Sequence, residues 1–198
     1  MKAVFLDKDG TLIVNASYVA DPRRLRFARN ALAALRQLDL AGYALIVITH
    51  QPQLATGPFT MLEFAALRRT LIGRVRDEAS VSLAGFYACP HAPGANGEPR
   101  CGCRKPMPGL LRAAALAHGL DLEHCWMVGD SLNDIEAGRR AGCRTVLLDV
   151  GDETEWRVSP LRTPHRRCAD LLDAAQFIVT SEGGEFDERP LPRLAETR

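Results

Sequence analysis

The run Tyr-Ala-Leu-Ile-Val-Ile at residues 43–48 restricts the fold more than any other segment. A nearly continuous apolar strand, with no polar alternation, must be covered on both faces, as in a parallel sheet between helices. The rest of the chain fits that frame. Short apolar runs at Ala3–Leu6, Gly85–Ala88, Cys125–Val128 and Arg144–Leu148 alternate with helical patterns. Residues 30–41 carry Leu32, Leu35, Leu38 and Leu40 near a 3.6-residue period, and Gly42 ends that helix. Thr60–Arg76 opens with a capping box formed by Thr60 and Glu63. Pro108–His118 closes on Gly119, Ser131–Ala141 runs from a serine cap to Gly142, and Phe177–Val179 is expected as a sixth strand. The expected fold is an α/β, Rossmann-like three-layer sandwich around a mostly parallel sheet.

A chain of 198 residues suits one domain, placed at residues 1–180, with residues 181–198 expected as a poorly ordered polar tail. Its 25 basic and 24 acidic residues leave a formal charge of +1, which argues against a nucleic-acid or membrane-surface binder. The arginines at 23, 24, 26, 166 and 167 read as solvated surface. Strand-like residues lead straight into Asp7 in place of a secretory signal, and no apolar run approaches the ~20 residues of a membrane span. A cytoplasmic monomer is expected, in which six cysteines serve as reduced thiols or metal ligands.

In open parallel sheets, ligands bind at the carboxyl ends of the strands. Asp7, Thr49, Lys105 and Asp130 all lie at or after expected strand ends, so they converge on one site. Asp7 and Asp9 stand two apart, which in extended chain aims both carboxylates the same way. A simple turn explains Asp and Gly there, but not two acids on one side of a buried strand. Asp130 closes another strand, and Asp134 follows one helical turn later, where the helix dipole alone would also favour it. Several carboxylates gathered at strand ends repel one another unless a cation joins them, and Mg²⁺ suits oxygen ligands with substrate phosphate in its shell. Thr49 supplies a hydroxyl and Lys105 an ammonium, both suited to a phosphoryl group.

These residues resemble the haloacid dehalogenase superfamily. Asp7-Lys8-Asp9-Gly10-Thr11-Leu12 matches its first motif, Thr49 its second, Lys105 its third, and Gly129-Asp130 with Asp134 its fourth. The resemblance implies that Asp7 attacks phosphorus to form an aspartyl-phosphate. It implies that Asp9 protonates the leaving oxygen and then activates water. Mg²⁺ is then held by the Asp7 carboxylate, the Asp9 backbone carbonyl and Asp130, with Asp134 in support. Thr49 and Lys105 hold the phosphoryl group. An acid at position 9 fits phosphatases.

Cys89-Pro-His91 is followed ten residues later by Cys101-Gly-Cys103. Three thiolates and an imidazole form a closed tetrahedral set, the structural kind of Zn²⁺ site, although the one-residue gaps are tighter than in zinc fingers. Reduced cysteines in a flexible loop are the plainer alternative, but four candidate ligands within fifteen residues of a Pro- and Gly-rich loop exceed chance and favour the metal site. Cys125, Cys143 and Cys168 read as buried small apolar residues. The arrangement is similar to the heptose bisphosphate and histidinol-phosphate phosphatases, which implies no large cap domain and a substrate pocket shaped by short loops. By that resemblance Arg104, Lys105, Tyr18 and the 49–57 loop, with His50 and Gln51, contact the substrate. The chain departs from the family at His50, where asparagine is usual, and a histidine can titrate near neutral pH. It also lacks the usual arginine before Gly57 and the His-Gly pair before Tyr18. The expected reaction is removal of a phosphate from a small metabolite, a heptose bisphosphate of glycan (lipopolysaccharide or capsule) synthesis first. Histidinol phosphate and another sugar phosphate are the alternatives, and a non-catalytic zinc-stabilised module is the rival class.

Overall fold

In the computed structural model, which describes residues 1–14, 21–151 and 159–181, strand β1 (Ala3–Leu6) lies inside a six-stranded sheet. With β2 (Ala44–His50), β3 (Gly85–Cys89), β4 (Trp126–Gly129), β5 (Arg144–Leu148) and β6 (Arg166–Cys168), the order is β3-β2-β1-β4-β5-β6. Every neighbouring pair is parallel, with Val4 opposite Leu45 on one side and Trp126 on the other. Parallel strands need crossovers, and helices supply them. Thus α1 (Ala31–Leu40) joins β1 to β2, the single turn α2 (Gln53–Thr56) and α3 (Met61–Ala79) join β2 to β3, α4 (Gly109–His118) joins β3 to β4 and α5 (Leu132–Ala141) joins β4 to β5, while α6 (Leu171–Thr180) follows β6.

Side chains alternate across β1 because successive Cβ atoms point to opposite faces. Val4 and Leu6 join Leu35, Leu38, Leu67, Leu71 and Ile178, so α1, α3 and α6 cover one face. Ala3 and Phe5 join Leu111, Ala114, Met127 and Ala137, so α4 and α5 cover the other. Each wholly buried large side chain, such as Phe5 or Leu35, contributes on the order of 1.5–3 kcal/mol.

Local chemistry fixes the helix starts. The Thr60 hydroxyl accepts the Glu63 N–H at 3.2 Å while the Glu63 carboxylate accepts the Thr60 N–H at 2.8 Å, the capping box expected for α3. Ser131 and Asp134 form the same box at α5. The expected elements recur within a few residues, with α3 reaching Ala79 and β2 running on through Thr49 and His50.

One element is different. Phe177–Val179 is helix, not strand, and belongs to α6. A three-residue apolar run does not distinguish strand from helix. Here Asp170 accepts the N–H groups of Leu172 and Asp173, and Leu171, Ala174, Ala175 and Ile178 bury one helical stripe. The sixth strand is Arg166–Cys168, a polar edge strand whose Arg166 guanidinium lies over the Phe177 ring at 5.4 Å. The Asn15–Tyr18 loop and, beyond Ser181, the expected tail lie outside the described residues. Among the described residues no helix is long and apolar enough to cross a membrane.

Candidate active site

The carboxyl ends of β1, β2 and β4 and the loop between β3 and α4 meet at one place. Asp7 leaves β1 with its N–H still donating to the Val128 carbonyl at 3.0 Å, so the strand pairing carries the carboxylate to the sheet edge. Asp130 follows β4, and Asp134 sits in the first turn of α5. One carboxylate oxygen from each of Asp7, Asp130 and Asp134 lies within 4.8 Å of the others. Lys105 Nζ reaches into this group, 2.6 Å from Asp7 Oδ1 and also paired with Asp134. The turn after Asp7 needs a glycine. Gly10 has φ +79°, and a Cβ there would stand 2.0 Å from Asp130 Oδ2.

The electrostatics follow from burial. Asp7 is 8% exposed and Lys105 4%. Burial, with repulsion from Asp134 and Asp9, raises Asp7 to about 7 against the pull of Lys105. Asp130 rises to about 8, through burial first and then Asp7 and Asp134. Burial disfavours the Lys105 ammonium, but Asp134 and Asp7 together outweigh it and hold its pKa above the usual range. One ammonium does not balance three clustered carboxylates. The donor set is therefore suited to a hard divalent cation, which favours carboxylate oxygens.

Asp9 stands apart from the three clustered acids. Its carboxylate pairs with Lys8 Nζ at 2.8 Å and accepts a long bond, 3.5 Å, from Gln51 Nε2. Gln51 Nε2 also donates to the Thr49 hydroxyl at 3.1 Å, which ties the acid beside β1 to the end of β2. Lys8 is 3% exposed and was not singled out from the sequence, because a lysine in a turn ordinarily reads as surface. The sequence signal was its position between two acids.

His50 differs from expectation. Its Nε2 accepts the Lys105 backbone N–H at 2.7 Å. Burial first, then the charges of Lys105 and Arg104, push its pKa down to about 2, so it does not titrate near neutral pH. Arg104 Nη1 donates to the His91 carbonyl at 3.4 Å. Tyr18 lies outside the described residues.

The second cluster is as expected in membership. Atoms of Cys89, His91, Cys101 and Cys103 lie within 4.8 Å of one another. Cys101 Sγ is 3.2 Å from Cys103 Sγ and 3.6 Å from Cys89 Sγ, and His91 Nδ1 is 3.2 Å from Cys103 Sγ. A tetrahedron with metal–sulfur bonds of 2.3 Å has edges of about 3.8 Å, so the four atoms stand close to that arrangement. Burial raises Cys89 and, to about 12, Cys103. Burial acts the same way on Cys101, but hydrogen bonds from Cys103 and the Arg104 N–H bring it down to about 7. Cys125, Cys143 and Cys168 are buried, as expected, at 0%, 3% and 2% exposure.

Comparison with known proteins adds to this geometry. A family model described as HAD-hydrolase-like matches residues 102–174. The chain is 34% identical over 179 residues to a D-glycero-beta-D-manno-heptose-1,7-bisphosphate 7-phosphatase of Helicobacter pylori, covering 89% of this chain and 97% of that one. It is 39% identical over 182 residues to the protein of the same name from Escherichia coli, covering 90% and 88%. Among solved structures, a D,D-heptose 1,7-bisphosphate phosphatase of B. bronchiseptica, complexed with magnesium and phosphate, superposes with a TM-score of 0.76 at 27% identity, covering 91% of this chain and 99% of that one. A putative HAD-like phosphatase of Mesorhizobium loti gives 0.76 at 31% identity, covering 93% and 88%.

Proposed function

This chain belongs to the HAD-like phosphatases, and from that premise we propose that it removes the 7-phosphate of D-glycero-β-D-manno-heptose 1,7-bisphosphate through a phosphorylated Asp7. The observation that carries the chemistry is Lys105 Nζ at 2.6 Å from Asp7, brought across 98 positions of sequence into a group of three acids at the strand ends. The observation that supports the substrate is the identity of 34–40% to phosphatases named for that sugar, over most of both chains.

Asp7 attacks phosphorus, forming an acyl-phosphate bond as the sugar oxygen departs. Asp9 gives that oxygen a proton and afterwards takes one from the water that hydrolyses the acyl phosphate. Lys105 neutralises the transferring phosphoryl group, and Thr49 donates to one of its oxygens. Gln51 bridges Thr49 and Asp9, so the phosphate-binding hydroxyl and the acid–base group are set by one amide. The residues that would hold Mg²⁺ are Asp7 and Asp130, with the Asp9 carbonyl and with Asp134 in support. When bound, the ion offsets the charge of carboxylates and phosphate together. Cys89, His91, Cys101 and Cys103 would hold a structural Zn²⁺ that stiffens the loop carrying Lys105. The working unit in this reading is a monomer.

The test is Mg²⁺-dependent phosphate release from both anomers of heptose 1,7-bisphosphate, with histidinol phosphate alongside. Preference for the β anomer is expected. Preference for histidinol phosphate overturns the substrate, and no release from any ester overturns the reaction.

A further inference from the structure

Lys105 enters the site on a loop whose two successive backbone N–H groups are both taken by side chains. The Arg104 N–H donates to Cys101 Sγ at 3.3 Å, and the Lys105 N–H donates to His50 Nε2 at 2.7 Å. The first acceptor belongs to the same loop. The second comes from the end of β2, 55 positions away in sequence.

The far end of that contact is fixed. His50 lies opposite Cys89 in the β2–β3 register, and the next residue, Gln51, donates its N–H to the Cys89 carbonyl at 2.8 Å. Thr49 and Gln51, the neighbours of His50, are themselves 1% and 5% exposed. The ring therefore projects from a rigid part of the sheet toward a loop without regular structure. The near end needs fixing, because a lysine stem has four flexible carbons and aims its ammonium well only from a settled main chain. A neutral imidazole with a bare Nε2 is the only form that can accept the bond, since imidazolium has donors alone. The pKa of about 2 leaves the ring neutral, burial contributing most.

We propose that His50 is a positioning residue for Lys105: its Nε2 anchors the Lys105 main chain to β2, so that the ammonium comes to rest between Asp7 and Asp134. The inference rests on the phosphatase reading above and differs from the sequence expectation, in which His50 touches substrate. It assigns the ring nitrogen to the protein's own backbone.

Two measurements test it. Long-range ¹H–¹⁵N spectra of the wild-type protein should show an unprotonated Nε2, coupled through the hydrogen bond to the Lys105 amide nitrogen. Steady-state kinetics should then compare His50→Leu, His50→Asn and His50→Gln. The glutamine carbonyl reaches about as far as Nε2, whereas the asparagine carbonyl stops at the depth of Nδ1. Loss of the bond should lower kcat about tenfold in the leucine and asparagine variants, with KM moving less, and glutamine should return kcat to within about threefold. A protonated Nε2, an unchanged kcat in the leucine variant, a glutamine variant no better than leucine, or a change in KM alone would each overturn the proposal. If the leucine variant does not fold, the spectra and the glutamine–asparagine comparison decide. Wild-type protein that cleaves no ester would refute the phosphatase reading, while the spectra would still decide the contact.

Discussion

Replacing Gly10 by alanine separates backbone strain from damage to the site. Gly10 and Gly42 both have φ +79°, so alanine meets the same left-handed penalty at each, about 1–2 kcal/mol. Beyond that the two positions differ. At Gly42, between α1 and β2, the nearest atom to the new methyl is Lys2 Cε at 3.9 Å, an ordinary contact. At Gly10 the methyl stands 2.0 Å from Asp130 Oδ2, and that carboxylate must retreat by roughly 1.4 Å to restore ordinary contact. Displacements of about 1 Å among reacting groups cost on the order of 100-fold in rate. Urea unfolding should therefore show similar losses of about 1–2 kcal/mol for both variants. Phosphate release should fall about 100-fold for Gly10→Ala alone, with weaker apparent affinity for Mg²⁺. A Gly10→Ala enzyme within about threefold of Gly42→Ala would refute the reasoning, because Asp130 would then tolerate displacement.

Other perturbations probe the remaining parts. Asp7→Asn should reduce turnover by about 10⁴-fold or more, and substantial residual phosphate release would remove Asp7 as nucleophile. Lys105→Met should destabilise metal-free protein by about 3–5 kcal/mol in denaturant titration, since it leaves clustered acids without their ammonium; a loss under about 1 kcal/mol would contradict the pairing. Cys101→Ser should lower zinc content, measured by elemental analysis, and drop Tm by at least about 4 °C; wild-type protein purified without zinc would sink the site. His165, whose pKa is pushed down to about 4 by burial first and then by Arg139 and Arg144, sets a pH slope. The unfolded chain binds its proton near pH 6.5 while the folded chain does not, so this stability is present above 6.5 and is lost as pH falls toward 4. His165→Gln should flatten unfolding free energy over that range, and an unchanged slope would argue against the shift.

The parallel sheet was legible because a strand buried on both faces leaves an uninterrupted apolar run, as at residues 43–48. Helix ends were legible where chemistry is local: Thr60 with Glu63 lies within one turn, and Ser131 stands at the start of α5 as its cap. Strand β6 was hidden because its residues, Arg166, Arg167 and Cys168, owe their conformation to the neighbouring β5 and not to their own pattern. The convergence of Asp7, Thr49, Lys105 and Asp130 followed from topology alone. The role of His50 did not, since a bond to a main chain 55 positions away leaves no trace in composition or spacing. Nor did the double engagement of Asp134, which caps α5 and pairs with Lys105 at once.

The sheet order has a bearing on how the molecule is made. Strand β1 is flanked by β2, which ends at His50, and by β4, which begins only at Trp126. As the chain leaves the ribosome, β1 gains its first neighbour early but keeps one raw edge until residue 129 has emerged. Asp7 cannot meet Asp130 before then. Catalytic competence and cover for the second edge of β1 should arrive together, before β5 and β6 complete the sheet, and nascent chains stalled before Trp126 should be the ones that stick to other strands.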